Sequence, residues 1–264
     1  MYKLLVSDLD GTLLNAEHRL GDDTREVLLA LIERGIGVIL ASGRHVRDIR
    51  SFSRLLGGRI GLISSNGAAV HDPRGRLTDT HPVDPSCLQF LLRDPLFDGV
   101  HTSVYRADDW LVDTPEPRLL RYHQASGFAY RVLDFAAMGD EPVLKVFYYH
   151  EDVAHLRTLE TEILERHAEQ LTTTYALPVV LEVMARGVSK GAALARIAAR
   201  LGIQPEEIIA FGDGRNDLEM LSYAGRSLLM ANADPWLKAA LPDVERIASN
   251  AEEAVAHYLA ARLL

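Results

Sequence analysis

The chain has 264 residues, of which 48% are hydrophobic and 25% charged, proportions that exclude a disordered, collagen-like or disulfide-stapled protein. Its formal charge of −9 argues against nucleic acid as a partner, since such partners select a basic excess. A single cysteine, Cys87, leaves no internal disulfide. No apolar run approaches the roughly 18 residues of a membrane span, and Asp8 ends the first apolar run too early for a signal peptide, so a cytoplasmic protein without a membrane partner is expected.

In chain order, Tyr2 to Ser7 is short and apolar and runs into Asp-Gly-Thr, which reads as a buried strand ending in a turn. Asp22 to Arg34 carries Val27, Leu28, Leu31 and Ile32 on one helical face, and Gly35 is placed to stop it. Ile36 to Ala41 predicts a second strand, Val46 to Leu56 a helix, and Ile60 to Ser64 a third strand. Apolar strands alternating with helices imply a parallel sheet covered on both faces. The pattern changes from Val83 to Met184. Strands are predicted at His101 to Tyr105, Val143 to Tyr149, Thr172 to Tyr175 and Val179 to Val183, with a helix over Glu151 to His167. Their more polar character suggests an antiparallel sheet with one wet face. The first rhythm then returns: helices over Ser189 to Leu201, Asn216 to Ala224 and Glu252 to Leu263, and strands at Ile208 to Phe211 and Ser227 to Met230. An α/β core formed by 1–82 and 185–264, interrupted by an α+β insert at 83–184, is the simplest organisation.

Four segments follow a predicted strand or open a predicted helix. Asp8-Leu9-Asp10-Gly11-Thr12 places two acids at the end of a buried strand, where like charges crowd. A magnesium ion, bound by carboxylates, carbonyls and water, would relieve that crowding; the ordinary alternative is an acidic turn. Ser42-Gly43-Arg44 offers a hydroxyl and approachable amides before a helix, which suits an anion, or simply an N-capped loop. In Ser189-Lys190-Gly191 the serine is a candidate N-cap, which puts Lys190 in a first helical turn, where the helix dipole disfavours a cation. Gly212-Asp213-Gly214-Arg215-Asn216-Asp217 supplies a further carboxylate past a strand end, and Asn216 and Asp217 are also natural helix caps. Ligands of open parallel sheets bind outside the carboxyl ends of the strands, and all four segments point there.

The order and content of these segments resemble the haloacid dehalogenase superfamily of phosphatases, in its Cof-type branch. Asp8-Leu9-Asp10-Gly11-Thr12-Leu13, Ser42-Gly43-Arg44, Gly187-Val188-Ser189-Lys190-Gly191, and Gly212-Asp213 with Asn216-Asp217 match its four motifs. Ser65-Asn66-Gly67-Ala68 and Met230-Ala231-Asn232-Ala233 are similar to further landmarks. One departure is Glu252-Glu253-Ala254-Val255, where the family often has Glu-Asp-Gly-Val.

The resemblance implies a Rossmann-like α/β core with an inserted α+β cap of the C2 type, and a phosphatase of small phosphorylated metabolites, sugar or cofactor phosphates, with Mg2+ as cofactor. It assigns Asp8 as nucleophile and Asp10 as acid and base. It gives Asp8, Asp10 (through its carbonyl), Asp213 and Asp217 as metal residues, and Leu9, Ser42, Gly43, Lys190 and Asn216 as the phosphate cradle. Arg44 and Asn66 become candidates for the substrate side. The rivals are a dedicated sugar-phosphate enzyme, similar to sucrose-phosphate phosphatase or phosphomannomutase, and a non-catalytic phospho-aspartate module. Monomer and weak homodimer both remain open. His45 and Arg47, at the start of a helix, are expected at the surface; Tyr148, Tyr149 and His150 read as cap packing, and Glu160, Glu162 and Glu165 as a solvated face. The ten histidines show no zinc-ligand spacing.

Overall fold

The computed structural model describes residues 1–124 and 126–264, and its described strands form two sheets. In chain order the strands are β1 (Leu4–Ser7), β2 (Gly37–Ala41), β3 (Gly61–Ser64), β4 (Ala69–His71) and β5 (Leu77–Thr80). There follow β6 (His101–Tyr105), β7 (Trp110–Val112), β8 (Arg131–Val132), β9 (Lys145–Tyr149), β10 (Leu171–Leu177) and β11 (Val180–Ala185). The chain then returns with β12 (Ile208–Gly212), β13 (Arg226–Met230) and β14 (Glu245–Ile247).

The core sheet runs β14-β13-β12-β1-β2-β3-β4-β5. It is parallel from β14 to β3, as expected, and β4 and β5 extend it antiparallel. Every residue of β1 is buried because both faces are covered. Leu5, Leu40 and Phe211 pack with Leu28, Ile49 and Leu259 of three helices, Asp22–Glu33, Val46–Leu55 and Ala254–Leu263. Leu4, Val6, Ile39 and Ile208 pack on the other side with Leu194 of Lys190–Leu201 and Met220 of Leu218–Tyr223. Each such aliphatic side chain contributes about 2 kcal/mol on burial. The strand order reverses at β1, whose neighbours are β2 and β12. The motif loops after these three strands therefore meet at one edge.

The second sheet runs β10-β11-β9-β6-β7-β8 and is antiparallel except between β7 and β8. One face, with Val104, Val146, Tyr148, Leu181 and Val183, is covered by the helices Pro85–Arg93 and Val153–His167. The expected wet face is absent from its centre: β7 is buried throughout, and in β6, β9 and β11 one terminal residue of each is partly exposed. The alternate residues Tyr105, Trp110, Phe147 and Val180 form a second apolar cluster with Leu119 and Phe128, and this cluster turns toward the core. A small cluster of Ala68, Ala69 and Val188 with Leu144 and Met184 joins the two parts.

His45 departs from expectation as well. It is 1% exposed, stacks on Phe128 with ring centroids 4.5 Å apart, and places Nε2 2.9 Å from the Arg106 carbonyl. Burial pushes its imidazole down to about 4. Arg47, beside it, lies over the Phe128 ring and donates to the Asp108 carbonyl. Tyr148 packs in the apolar cluster of the second sheet, its hydroxyl donating to the Leu91 carbonyl at 2.6 Å. The helix expected over Asn216 to Ala224 is reduced to Leu218–Tyr223 after a single turn, Arg215–Asp217.

The stretch Glu252 to Val255 has a definite local role. Glu253 holds φ +48°, a left-handed conformation unusual for a side-chain-bearing residue. Its carboxylate accepts from the Thr24 amide at 2.9 Å and the Thr24 hydroxyl at 2.7 Å. It thus caps the Asp22–Glu33 helix, whose own N-cap, Gly21, has no side chain to do so. Glu253→Ala should cost about 1–2 kcal/mol of stability, measured by urea unfolding. An unchanged midpoint would show that the carboxylate does not cap.

Candidate active site

Asp8 follows β1 and Asp213 follows β12, and because Ser7 pairs with Phe211 in parallel register the two acids emerge side by side. Beyond β1 the chain makes one wide turn, Leu9–Leu13, closed by Leu14 N–H donating to the Leu9 carbonyl at 2.9 Å. Gly11 makes this turn possible at φ +78°, and a Cβ there would fall 2.3 Å from Asp213 Oδ2. Thr12 Oγ1 donates to Asp213 Oδ1 at 2.6 Å, and Asn232 Nδ2 to the Gly11 carbonyl at 2.7 Å.

Ser189 caps its helix as expected, its Oγ accepting from Ala192 N–H. Lys190 is fully buried, and its Nζ donates to Asp8 Oδ1 at 2.5 Å and Asp217 Oδ1 at 2.7 Å. Asp217 Oδ2 accepts from the amides of Asp213 and Gly214, each at 2.9 Å. Burial pushes Asp8 well above the usual carboxylate range; Lys190 opposes this, and Asp217, Asp213 and Asp10 add to it. Burial and Asp217 push Asp213 up to about 7. Burial works against the Lys190 ammonium, but Asp217 and Asp8 more than offset it and raise the group above its ordinary value.

Ligand oxygens of Asp8, Asp213 and Asp217 lie within 4.8 Å of one another. Three carboxylates against one ammonium leave an excess of negative charge, and an all-oxygen donor set suits a hard divalent cation. The residues present therefore fit such an ion. The Asp10 side chain points elsewhere. It takes Arg44 Nε at 2.6 Å and Nη2 at 2.5 Å, and His18 Nδ1 lies 3.4 Å away. These contacts outweigh desolvation and hold Asp10 well below the usual carboxylate range.

Ser42 and Gly43 sit beside this cluster, with Ser42 Oγ accepting from Arg44 N–H at 3.1 Å. Ser65 and Asn66, at φ +48° and +57°, form a strained turn of the kind that accumulates at functional sites. Asn66 links the two halves of the molecule: its amide donates to Glu182 Oε2 at 2.7 Å, and its Oδ1 accepts from Asn216 Nδ2 at 3.0 Å. Lys145 pairs with Glu182 and donates to the Gly43 carbonyl at 2.6 Å. Burial lowers the Lys145 ammonium, and Glu182 opposes that. Of the expected site residues, Asp8, Asp10, Ser42, Gly43, Arg44, Asp213 and Asn216 line one cavity of about 360 Å3, roofed by Tyr105, Trp110, Phe147 and Val180. Lys190, Asp217 and Asn66 lie behind this lining, bonded to Asp8, Lys190 and Asn216 respectively.

Lys145, Glu182, Asp48 and His123 are additions that the sequence reading missed. One signal was available for the first two. Lys145 and Glu182 are the charged positions of otherwise apolar strands, and both fall on the side-chain face that carries Phe147 and Val180.

Residues 5–259 match the haloacid dehalogenase-like hydrolase family. The chain is 39% identical over 261 residues to a phosphatase-named protein of Haemophilus influenzae, covering 98% of this chain and 96% of that one. It is 35% identical over 259 residues to the HMP-PP phosphatase of Cronobacter sakazakii, covering 98% and 95%. Among solved structures, a haloacid dehalogenase-like hydrolase from B. subtilis superposes with a TM-score of 0.88 at 29% identity, covering 99% of this chain and 100% of that one.

Lys190→Met should strip Asp8 and Asp217 of the one cation that the described residues place against both. In chelator, this variant should lose about 3–5 kcal/mol of unfolding free energy. Excess divalent cation should recover part of the loss, because it binds the native cluster. Equal stability of variant and parent in chelator would show that the ammonium does not hold the cluster together.

Proposed function

Because this chain belongs to the haloacid dehalogenase-like hydrolase family and is a phosphoric monoester hydrolase, we propose that it is a magnesium-dependent phosphatase of small phosphorylated metabolites, working through an aspartyl-phosphate on Asp8. The observation that carries this reading is the placement of Asp8, held 2.5 Å from Lys190 with Asp213 and Asp217 alongside, at the floor of the cavity.

Asp8 attacks phosphorus in line and the bond to the ester oxygen breaks, a covalent route open to carboxylates. Asp10 gives a proton to that oxygen, then takes one from the water that hydrolyses the acyl phosphate. The Arg44 contact favours the second half of this role, since it keeps Asp10 ionised; the first half requires Asp10 to gain a proton against that contact. The Leu9 amide, Ser42, Gly43, Lys190 and Asn216 hold the phosphoryl oxygens. Asp8, the Asp10 carbonyl and Asp213 would hold magnesium, with Asp217 behind them. When bound, the ion supplies positive charge that offsets the carboxylates and the phosphoryl oxygens.

Residues 83–184 act as a cap over a core made of 1–82 and 185–264. The cap excludes water and meets the organic part of the substrate. Its wall over the cavity is mostly apolar, with Tyr105, Trp110, Leu119, Phe147, Leu177 and Val180. Such a wall favours a leaving group with a flat apolar part, as in cofactor phosphates, over a polyhydroxylated sugar, which needs more hydrogen-bonding groups. The likeness to an HMP-PP phosphatase supports a phosphorylated small molecule as substrate.

Three outcomes are expected. Chelator should abolish release of phosphate from p-nitrophenyl phosphate, and added magnesium should restore it; full turnover in chelator would overturn the metal assignment. Asp8→Asn should abolish turnover and the covalent intermediate, while Asp10→Asn should lose roughly 10²- to 10⁴-fold and still bind phosphate. Phe147→Ala should raise KM for a ring-bearing phosphate ester roughly tenfold and change that for an aliphatic ester such as glycerol phosphate less. A proportional loss on every ester would make the cap a lid and not a selector.

A further inference from the structure

Asp10 is the more exposed of the two first-motif acids, with 38% of its side chain open. A carboxylate that must face both a leaving oxygen and an incoming water needs its angle fixed within roughly 10–20°. Arg44 supplies the first restraint. Its planar fork presents Nε and Nη2 to the two Asp10 oxygens at 2.6 and 2.5 Å. A guanidinium held by only one edge still swings on its flexible stem. Here the other edge is also taken: Arg44 Nη1 donates to Asp48 Oδ2 at 2.5 Å.

Asp48 is fully buried. It sits in the first turn of the Val46–Leu55 helix, where the dipole favours an anion. The same Oδ2 lies 3.2 Å from His123 Nδ1. His123 comes from the insert, and its ring packs 4.7 Å from Trp110, so the cap's own aromatic cluster holds it in place. A single line of contacts therefore runs from the cap, through His123, Asp48 and Arg44, to Asp10.

We infer that Asp48 is a positioning residue that acts on Asp10 through Arg44, and that the cap residue His123 completes this arrangement only while the cap is docked. The inference rests on the reading of Asp10 as the group that moves protons. It has a mechanical consequence: Asp10 reaches its working orientation when the cap closes, so proton transfer is coupled to enclosure of the substrate.

The test is a double-mutant cycle with p-nitrophenyl phosphate. Asp48→Asn keeps the shape and removes the charge. It should lower kcat at least about fivefold with KM nearly unchanged, and the same substitution in an Asp10→Asn background should cause no further loss. A loss of equal size in both backgrounds, or no loss in the parent, overturns the inference. Failure of the underlying reading shows separately, as full turnover of the Asp10→Asn single variant. If melting curves show that Asp48→Asn does not fold, His123→Gln tests the same line from the cap side. It should give a smaller kcat loss that again vanishes when Asp10 is Asn. A raised KM with unchanged kcat would place His123 on the substrate and overturn the coupling.

Discussion

Carboxylates crowded at the end of a buried sheet set the conditions that the rest of the molecule has to meet. Asp8 and Asp213 emerge from neighbouring parallel strands, and Asp217 closes back on them from the following turn. At separations near 4 Å each like-charge contact costs about 4 kcal/mol at a typical effective dielectric. Lys190 is the local answer. Its position in a first helical turn is unfavourable by itself, yet it places an ammonium between Asp8 and Asp217 with no exposure to water. That placement depends on close packing. Gly191, the next residue, has room for no side chain, since a Cβ would fall 2.4 Å from the Glu219 backbone. The lysine can reach the carboxylates because its helix lies directly against the segment that carries Asp217.

The same charge logic explains how the two sheets meet. Docking buries Lys145 and Glu182, each about 3% exposed, and a buried pair contributes little net stability after desolvation. What it supplies is registry: Lys145 reaches the Gly43 carbonyl and Glu182 the Asn66 amide, both in loops that flank the cluster. Apolar contact, chiefly the stacking of His45 on Phe128 and the Ala68–Met184 cluster, carries the attraction. A junction with modest net attraction and precise polar registry would suit the cap role proposed for the insert.

What was legible in the sequence follows from locality. β1, β2, β3 and β12 were readable because strands buried on both faces are continuous apolar runs, and the Ser189 cap because capping is a relation over three residues. Asp8, Asp213 and Lys190 could be read because they break local rules beside those runs. β7 and β14, three residues each, are too short to show a period. The sheet of the insert misled because Ser103, Lys145 and Glu182 look like a solvated stripe, when Ser103 accepts from the Trp110 indole and Lys145 and Glu182 face core loops and each other. His45 misled for the same reason, since the ring that buries it lies more than eighty positions along the chain. Asp48 and His123 left no local mark, because their meaning lies in a contact between distant segments.

Arg44, a candidate for the substrate side, shows what such a contact adds to a reading from sequence. A cation beside a phosphate loop invites the reading that it binds phosphate. Its guanidinium is already shared between Asp10 and Asp48, so it brings no spare positive charge to the site. Around the cavity floor, among the described residues, Asp8 and Asp217 contact Lys190, and Asp10 and Asp48 contact Arg44, with Asp213 beside the first pair, while Lys145, which also lines the cavity, is paired with Glu182. A phosphate dianion entering that field is repelled unless positive charge has been added first. In the function proposed above, that charge would come from a divalent ion at the three-carboxylate cluster, with Lys190 and the amides near Ser42 and Gly43 adding direction. The surplus of carboxylates thus favours the metal ion proposed above, and the two-point hold of Arg44 on Asp10 ties its charge to the proton-transfer role proposed for that group.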